Sequence, residues 1–357
     1  MGYKIPNQQK RFEKNPWEKA ISMLDGKTIL ITGGTGSFGK KCTEVIFRKF
    51  KPKKVIIFSR DEFKQYLLSK TFPMDQYPIR YFIGDIRDKD RLYRAFEGVD
   101  YVIHAAALKQ VPACEYNPFE AIKTNVLGAQ NIVEASLDRG VKKVIALSTD
   151  KAVSPINLYG ASKLAMEKLL VAANSYVGTK ECLFSIVRYG NVVGSRGSVI
   201  PIFLQYGAQG KKKLPITDER MTRFWITLDQ GVELVLNAIH EAVGGEIFVP
   251  KIPSMRILDL ARAVIPDCTF TTIGIRPGEK IHESLVSEDE GRSCVQIQKE
   301  NETIYVILPP CLLEIKKGAK YQSCTKLPEN FFYRSDTNDI WLKVEELKEL
   351  IRDVHPE

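Results

Sequence analysis

Lys27-Thr-Ile-Leu-Ile-Thr-Gly-Gly-Thr-Gly-Ser-Phe-Gly39 is the stretch on which the reading of this chain turns. An apolar run over 27–32 has strand character. Glycines at 33, 36 and 39 follow, and then a helical pattern to Phe50. A strand that breaks into Gly-x-x-Gly-x-x-Gly and enters a helix suits a nucleotide. Small residues let the backbone approach a pyrophosphate, and the helix N-terminus offers N–H groups and partial positive charge. Gly33, Gly36, Ser37, Phe38 and Gly39 are therefore candidate cofactor contacts.

Working outward, a second strand over 54–58 ends in Ser59-Arg60-Asp61. An acidic residue at this point binds the ribose hydroxyls of NAD, whereas a hydroxyl and a guanidinium suit the 2′-phosphate of NADP. Ser59 and Arg60 favour NADP; the competing reading has Arg60 solvated and Asp61 on the ribose. A third strand over 81–84 delivers Asp85 and Ile86 to the adenine. A fourth, over 101–107, carries the small residues Ala105, Ala106 and Ala107, against which a cofactor can lie, while His104 packs at the strand end. A long helix containing Asn125 follows, then a fifth strand over 144–148, a helix, and a sixth strand over 183–188. This alternation predicts an α/β fold, a Rossmann-like doubly wound parallel sheet with its ligand crevice at the carboxyl ends of the strands.

Beyond Tyr189 the pattern changes. A helix after Pro201, a capping-box helix from Thr227 to about Ala242, a strand over 246–249, a helix over 256–264 and a charged loop over 276–280 predict a smaller C-terminal substrate-binding lobe. The expected division is an N-terminal appendage (1–26), an NADP-binding Rossmann domain (27–190, with 226–250 returning to it), a substrate-binding lobe (191–290) and a C-terminal extension (291–357). Residues 291–340 show little periodicity, and 341–353 read as a terminal helix.

Composition narrows the function. A chain of 357 residues with 44% hydrophobic and 27% charged content describes an ordinary globular protein, and a net charge of +9 suits anionic small molecules. No segment interleaves aromatics with dense Lys/Arg, which argues against nucleic acid. No apolar run has the length of a membrane span, which argues against membrane insertion. Seven cysteines without a Cys-x-x-Cys pair, and four histidines without ligand spacing, predict no metal site and a reducing, cytoplasmic setting.

The chemistry concentrates in Ser148-Thr-Asp-Lys-Ala-Val-Ser-Pro-Ile-Asn-Leu-Tyr-Gly-Ala-Ser-Lys163. Tyr159 and Lys163 are one helical turn apart, and an ammonium near a phenol favours the phenolate, which suits oxidation of an alcohol. Together with the glycine turn, this stretch resembles the extended short-chain dehydrogenase/reductase superfamily over about residues 27 to 285. Thr149-Asp150-Lys151, Tyr189-Gly-Asn-Val-Val-Gly-Ser-Arg-Gly-Ser, Met221-Thr-Arg-Phe-Trp-Ile-Thr and Arg276-Pro-Gly-Glu-Lys-Ile-His-Glu resemble the inverting UDP-N-acetylglucosamine 4,6-dehydratases, which serve pseudaminic acid synthesis.

That resemblance implies NADP as cofactor, UDP-N-acetylglucosamine as substrate, and a homo-oligomer, dimer or hexamer. It implies catalytic roles for Thr149, Asp150, Lys151, Tyr159 and Lys163. It implies contacts to the UDP-sugar from Asn191, Arg196, Gly197, Ser198, Val199, Thr217, Arg276 and Glu279, with Lys109 near the acyl sugar. Asn125 joins the cofactor set with Tyr159 and Lys163, and Arg223 braces the lobe. Lys151, made neutral by burial and by Lys163, takes the C5 proton. Asp150, protonated, serves the departing C6 hydroxyl. Lys151 or Tyr159 then reprotonates C5. The alternatives are a retaining 4,6-dehydratase, a 4-epimerase, or a non-catalytic NADP-binding regulator.

Overall fold

A computed structural model of the chain describes residues 23–194, 199–299, 302–309 and 320–352. The glycine turn stands where expected, between β1 (Thr28–Thr32) and the helix Ser37–Lys49. The next strands are β2 (Lys54–Ser59), β3 (Ile79–Ile83), β4 (Tyr101–His104), β5 (Lys143–Thr149) and β6 (Leu183–Tyr189). All are parallel, in the spatial order β3-β2-β1-β4-β5-β6. Order reverses between β1 and β4, the point at which a doubly wound sheet opens a crevice for ligands. The central strands are buried throughout because helices cover both faces, so they read as unbroken apolar runs.

The later chain contributes β7 (Asn191–Val192), β8 (Lys213–Ile216), β9 (Thr222–Ile226), β10 (Ile247–Pro250), β11 (Ser254–Arg256), β12 (Thr269–Thr272), β13 (Ser284–Val286), β14 (Cys294–Lys299), β15 (Glu302–Ile307), β16 (Thr325–Lys326) and β17 (Tyr333–Arg334). β10 adds to β6 in parallel. The helix before it, Leu228–Glu241, begins with the capping box that the sequence announces at Thr227 and Gln230.

The stretch read as poorly periodic departs from expectation. β15 pairs antiparallel with β10, β14 with β15, and β16 with β14, so among the described residues the main sheet has ten strands. Ile304-Tyr-Val-Ile-Leu308 is a strand-length apolar run, and all five side chains are buried. Glu246 fastens this addition from a fully buried position. Its carboxylate accepts Ser185 Oγ (2.7 Å), the Val243 and Gly244 N–H groups, and Tyr321 Oη (2.9 Å). Every oxygen of this buried charge is thus satisfied.

Three smaller differences have local causes. β4 stops at His104, because the Ala105 and Ala106 N–H groups turn to Thr32 Oγ1 (3.2 and 3.3 Å). The long helix is broken into Val111–Tyr116, Pro118–Ile122, a π-turn at Lys123–Leu127 and Gly128–Arg139, since Pro118 starts a new helix. The terminal helix is Val344–Ile351. Of the N-terminal appendage, only 23–26 lie within the described residues, and Leu24 is fully buried in the main core.

A second apolar core gathers Ile200, Phe203, Leu214, Trp225 and Leu260 with Leu347 and Ile351 of the terminal helix. The chain after 291 is therefore divided: the hairpin joins the large core and the last helix joins the small one. Arg188, at the end of β6, ties the parts together. It is fully buried and forms two hydrogen bonds with Glu167 (3.0 and 2.6 Å) and two with Glu290, and it donates to the Leu285 carbonyl.

Candidate active site

The carboxyl ends of β1, β2, β4, β5 and β6 open into a cleft of about 1030 Å³ whose far wall is the smaller core's side of the chain. Gly33 has φ +65°, and a Cβ there would lie 2.9 Å from Ala106 N and Cα. Only glycine lets the first turn close against the loop after β4. Gly36 caps the helix Ser37–Lys49 with no side-chain bond, which leaves its first-turn N–H groups to the cleft. Gly33, Gly36, Ser37, Phe38, Gly39, Ala105, Ala106 and Ala107 all line it. These features fit a dinucleotide pyrophosphate.

At the end of β2 the side chains divide their work. Asp61 caps the helix Glu62–Thr71, accepting the Lys64 N–H (2.9 Å) and pairing with Lys64 Nζ (2.6 Å). That contact holds its carboxyl below the usual range. Ser59 Oγ accepts from Gln65 Nε2 (3.0 Å). Arg60 and Lys64 stand at the cleft rim. Asp85 Oδ2 accepts both Arg87 Nε (2.9 Å) and Nη2 (2.7 Å) and has Arg60 at 3.6 Å; beside it, Ile86 is buried and reaches the cleft wall. Asn125 does not line the cleft. Its amide accepts the Leu108 N–H (2.8 Å) and donates to the Leu108 carbonyl and Ser162 Oγ, so it braces the loop after β4 rather than touching a ligand.

The stretch after β5 bends through a single 3₁₀ turn, Asp150–Ala152, into the helix Leu158–Ala173. Asp150 is buried and absent from the cleft wall. Its Oδ1 accepts Thr149 Oγ1 (2.8 Å) and Lys151 Nζ (3.1 Å), and its Oδ2 is buried with no partner among the described residues. Thr149, Lys151, Tyr159 and Lys163 do line the cleft.

Two electrostatic expectations are overturned. Burial would push the Lys151 ammonium toward its neutral form, but the carboxylates of Asp150 and Glu283 (3.4 Å) outweigh it and raise its pKa. Lys163 does not act on the phenol of Tyr159. Its Nζ donates to the Leu147 carbonyl (2.6 Å) and contacts Met166 Sδ, and burial lowers its pKa to about 8. Burial raises the Tyr159 pKa to about 12, and the groups that oppose that rise are the Lys151 charge and the Thr149 hydroxyl. The phenol's cation is the lysine of the turn, not the lysine of the helix.

Lys109, after β4, and Asn191, after β6, reach the cleft from the strand ends, and Val199, Thr217, Arg276 and Glu279 from the later chain. Asn191 Oδ1 and Glu279 Oε2 are buried there without partners among the described residues, as donors on a ligand would require. Arg196, Gly197 and Ser198 lie outside the described residues. Arg223 braces the lobe as expected, donating to the carbonyls of Thr222 (2.7 Å), Ile281 (2.9 Å) and Lys280 (3.0 Å), and it also lines the cleft. The residue that sequence reasoning missed is Glu283. It closes the Arg276-Pro-Gly-Glu-Lys-Ile-His-Glu motif and lines the cleft beside Lys151.

The family model described as polysaccharide biosynthesis protein matches residues 29–306. A UDP-N-acetylglucosamine 4,6-dehydratase (inverting) of Campylobacter jejuni is 53% identical over 92% of this chain and 98% of its own. A UDP-glucose 4-epimerase of Rickettsia typhi is 47% identical over 75% of this chain and 80% of its own. The X-ray structure of Pen from Bacillus thuringiensis, 40% identical, superposes with a TM-score of 0.83 over 92% of this chain and 98% of that one. A dTDP-glucose 4,6-dehydratase from Streptomyces venezuelae, solved with NAD bound, shares the fold at 22% identity, with a TM-score of 0.63 over 71% of this chain and 86% of that one.

Proposed function

The chain belongs to the polysaccharide biosynthesis protein family, and from that premise we propose that it is an NADP-dependent UDP-N-acetylglucosamine 4,6-dehydratase, a hydro-lyase that inverts C5. The product is the 4-keto-6-deoxy sugar of L-arabino configuration, the first step toward pseudaminic acid. The observation that carries this reading is the Thr149–Asp150–Lys151 cluster beside Tyr159 at the cleft. A 4-epimerase moves only a hydride and one hydroxyl proton. A 4,6-dehydratase must also deprotonate C5 and protonate a leaving hydroxyl, and it needs a further acid–base pair.

Residues 27–190 with 226–250 hold the cofactor, and 191–290 with the terminal helix hold the sugar nucleotide. Gly33, Gly36 and Gly39 admit the pyrophosphate, and Ser59 and Arg60, with Lys64 beside them, take the 2′-phosphate, since Asp61 is engaged in capping. NADP supplies, when bound, a hydride acceptor for C4 and a hydride donor for C6. Tyr159, once its phenolic proton has passed to solvent in the bound complex, takes the C4 hydroxyl proton; the Lys151 charge and the Thr149 hydroxyl favour that phenolate. Lys163 holds the end of β5 through the Leu147 carbonyl and so fixes the nicotinamide side of the cleft. With C4 oxidised, a C5 carbanion is delocalised into the ketone, and Lys151 removes the C5 proton. Asp150, protonated for this step, gives its proton to the C6 oxygen through Thr149, whose hydroxyl donates to Asp150 Oδ1 in the free protein, and water leaves. Reprotonation of C5 from the opposite face, by Lys151 or Tyr159, inverts that centre.

Lys109, Asn191, Arg196, Gly197, Ser198, Val199, Thr217, Arg276 and Glu279 bind the UDP-sugar. Arg276 supplies a planar fork for diphosphate oxygens. Self-association as a dimer or hexamer and a cytoplasmic location belong to the same reading; the unpaired thiols among the described residues suit a reducing compartment. The second reading, a 4-epimerase, is favoured by the Rickettsia relatives.

Incubation with UDP-N-acetylglucosamine in deuterated water separates them. Loss of one water with deuterium at C5 and an L-arabino product supports inverting dehydration. A dehydrated product that keeps the D-xylo configuration removes the inversion. Unchanged mass with altered C4 stereochemistry assigns the chain to the epimerases.

A further inference from the structure

The Lys151 side chain lies between two carboxylates, one from its own turn and one from the other wall of the cleft. Asp150, next to it in sequence, is 3.1 Å away, and Glu283, from the segment that covers the cleft, is 3.4 Å away. The covering segment is stapled to the turn at two further points. Asn157 Nδ2 donates to the Gly278 carbonyl (2.8 Å), and Lys280 Nζ donates to the Val153 carbonyl (2.5 Å). Behind it, the Glu283 N–H donates to Ser335 Oγ (3.0 Å), the Ser335 N–H returns to the Glu283 carbonyl (2.8 Å), and Arg223 clamps the carbonyls of Lys280 and Ile281. The Glu283 carboxylate is therefore held by a rigid frame. It is buried, yet its Oε2 has no partner among the described residues. A buried carboxylate oxygen left bare is costly unless it serves a proton or a ligand.

We propose that Glu283 is a positioning residue for the C5 step: it aims the Lys151 side chain into the cleft and, when the bound sugar nucleotide desolvates the ion pair, takes up the ammonium's proton, so that Lys151 becomes a base without releasing a proton to solvent in that step. The inference rests on the dehydratase reading above. The transfer balances within the cluster. One N–H bond of the Lys151 ammonium breaks, an O–H bond forms on Glu283, and the nitrogen keeps the electron pair. The free amine then forms a new N–H bond with the C5 proton, and the electrons of the C–H bond pass to the ketone. The charged and titratable groups facing this pair are Asp150 from the turn, Tyr159 from the helix Leu158–Ala173, Arg223 from β9 and Lys280 from the covering segment. Asp150 already carries two donors on one oxygen and is reached from the cleft only through Thr149 and Lys151. Asp150 Oδ2 is without a partner among the described residues too, but Asp150 does not line the cleft and Glu283 does, so Glu283 is the carboxylate placed to receive.

The test uses the NADP-loaded full-length protein and Glu283→Gln, which preserves the shape and the acceptor oxygen but cannot take a proton. Deuterium entry at C5 and reduction of bound NADP on adding UDP-N-acetylglucosamine are followed separately across pH. In the wild type, deuterium entry is flat around neutral pH, because Glu283 rather than solvent deprotonates Lys151 in the step, while the cluster exchanges with deuterated water between turnovers. In Glu283→Gln it falls roughly 100-fold at neutral pH and recovers as pH rises, since Lys151 must now lose its proton to solvent; NADP reduction and the KM change less than about 3-fold. Glu283→Asp restores part of the rate. A Glu283→Gln variant whose deuterium entry matches wild type at every pH overturns the proposal. So does one that loses NADP reduction and C5 exchange in equal measure, because that is a folding or docking defect. A wild type that dehydrates nothing and takes no deuterium at C5 overturns the dehydratase reading itself.

Discussion

The carbonyl oxygen of Lys151 rests directly on Gly160, so close that a Cβ on that glycine would lie 2.0 Å from it. The turn bearing Asp150 and Lys151 is seated on the first turn of the helix bearing Tyr159 only because position 160 has no side chain. Asn157 Oδ1 accepts the Gly160 N–H (2.8 Å) and fixes the same contact from the other side.

Gly160→Ala is accordingly expected to displace Lys151 and to lower kcat by about 100-fold, the cost of a displacement of order 1 Å in a reacting group. The overpacking should also cost roughly 1–3 kcal/mol of stability. Steady-state kinetics and thermal denaturation of the variant check this. An alanine variant with wild-type kcat would show that the turn tolerates the shift.

Tyr159 should remain a phenol well above neutrality in the free protein, because burial raises its pKa to about 12 against an ordinary value of 10.0. The measurement is the ultraviolet difference titration of wild type minus Tyr159→Phe. Lys151→Met removes the charge that opposes the rise and should move the tyrosinate signal further up. A Tyr159 signal appearing below pH 10.0 would contradict the assignment.

Arg60 faces the cleft rim while Asp61 is held by Lys64. Arg60→Ala should weaken NADP binding by about 10- to 100-fold, the range of a charge-assisted hydrogen bond, and leave NAD binding nearly unchanged. Calorimetric titration with both dinucleotides decides it. Equal losses for both would mean that Arg60 serves the fold through its contact with Asp85.

Arg188 is fully buried, with Glu167 and Glu290 against it. Arg188→Met should cost about 3–5 kcal/mol, since it strands a buried carboxylate. Adding Glu167→Gln or Glu167→Leu should recover part of that loss. Urea unfolding of the single and double variants is the check; a single variant within 1 kcal/mol of wild type, on the order of a surface substitution, would refute it.

Glu241 carries a pH signature. Burial raises its carboxyl pKa, but Lys320 (2.6 Å) and Lys299 (2.9 Å) outweigh that and lower it from 4.5 to about 2. A depressed carboxyl pKa stabilises the folded state above the unfolded value. The contribution is lost as pH falls through the folded value. Glu241→Gln should therefore cost about 2 kcal/mol at neutral pH, and the gap from wild type should close between pH 4.5 and 2. A gap constant over that window would assign the effect to packing.

Much of this molecule follows from local pattern. Thr28–Thr32 is a strand because its residues are apolar or β-branched and are followed by glycine, and Gly33 is glycine because its backbone has φ +65°. The helix from Leu228 starts where the Thr227–Gln230 box puts it. The strand–helix alternation yields the parallel order from β3 to β6, and with it the place of the cleft. These features depend on neighbours a few residues apart, which a sequence displays.

What the fold alone decided lies between distant segments. The antiparallel addition of β14, β15 and β16 depends on the free edge of β10, and Glu246 anchors it through Tyr321. Asn125, within the π-turn, bonds Leu108 and Ser162 instead of lining the cleft. Helical spacing paired Tyr159 with Lys163, but burial sent the Lys163 ammonium to the Leu147 carbonyl and left Lys151 as the cation beside the phenol. The charge on Lys151 depends on Glu283, a residue from the other wall of the cleft. Sequence spacing fixes which side chains share an element; the charge each one carries is set by desolvation and by partners that only chain closure brings within a few ångströms.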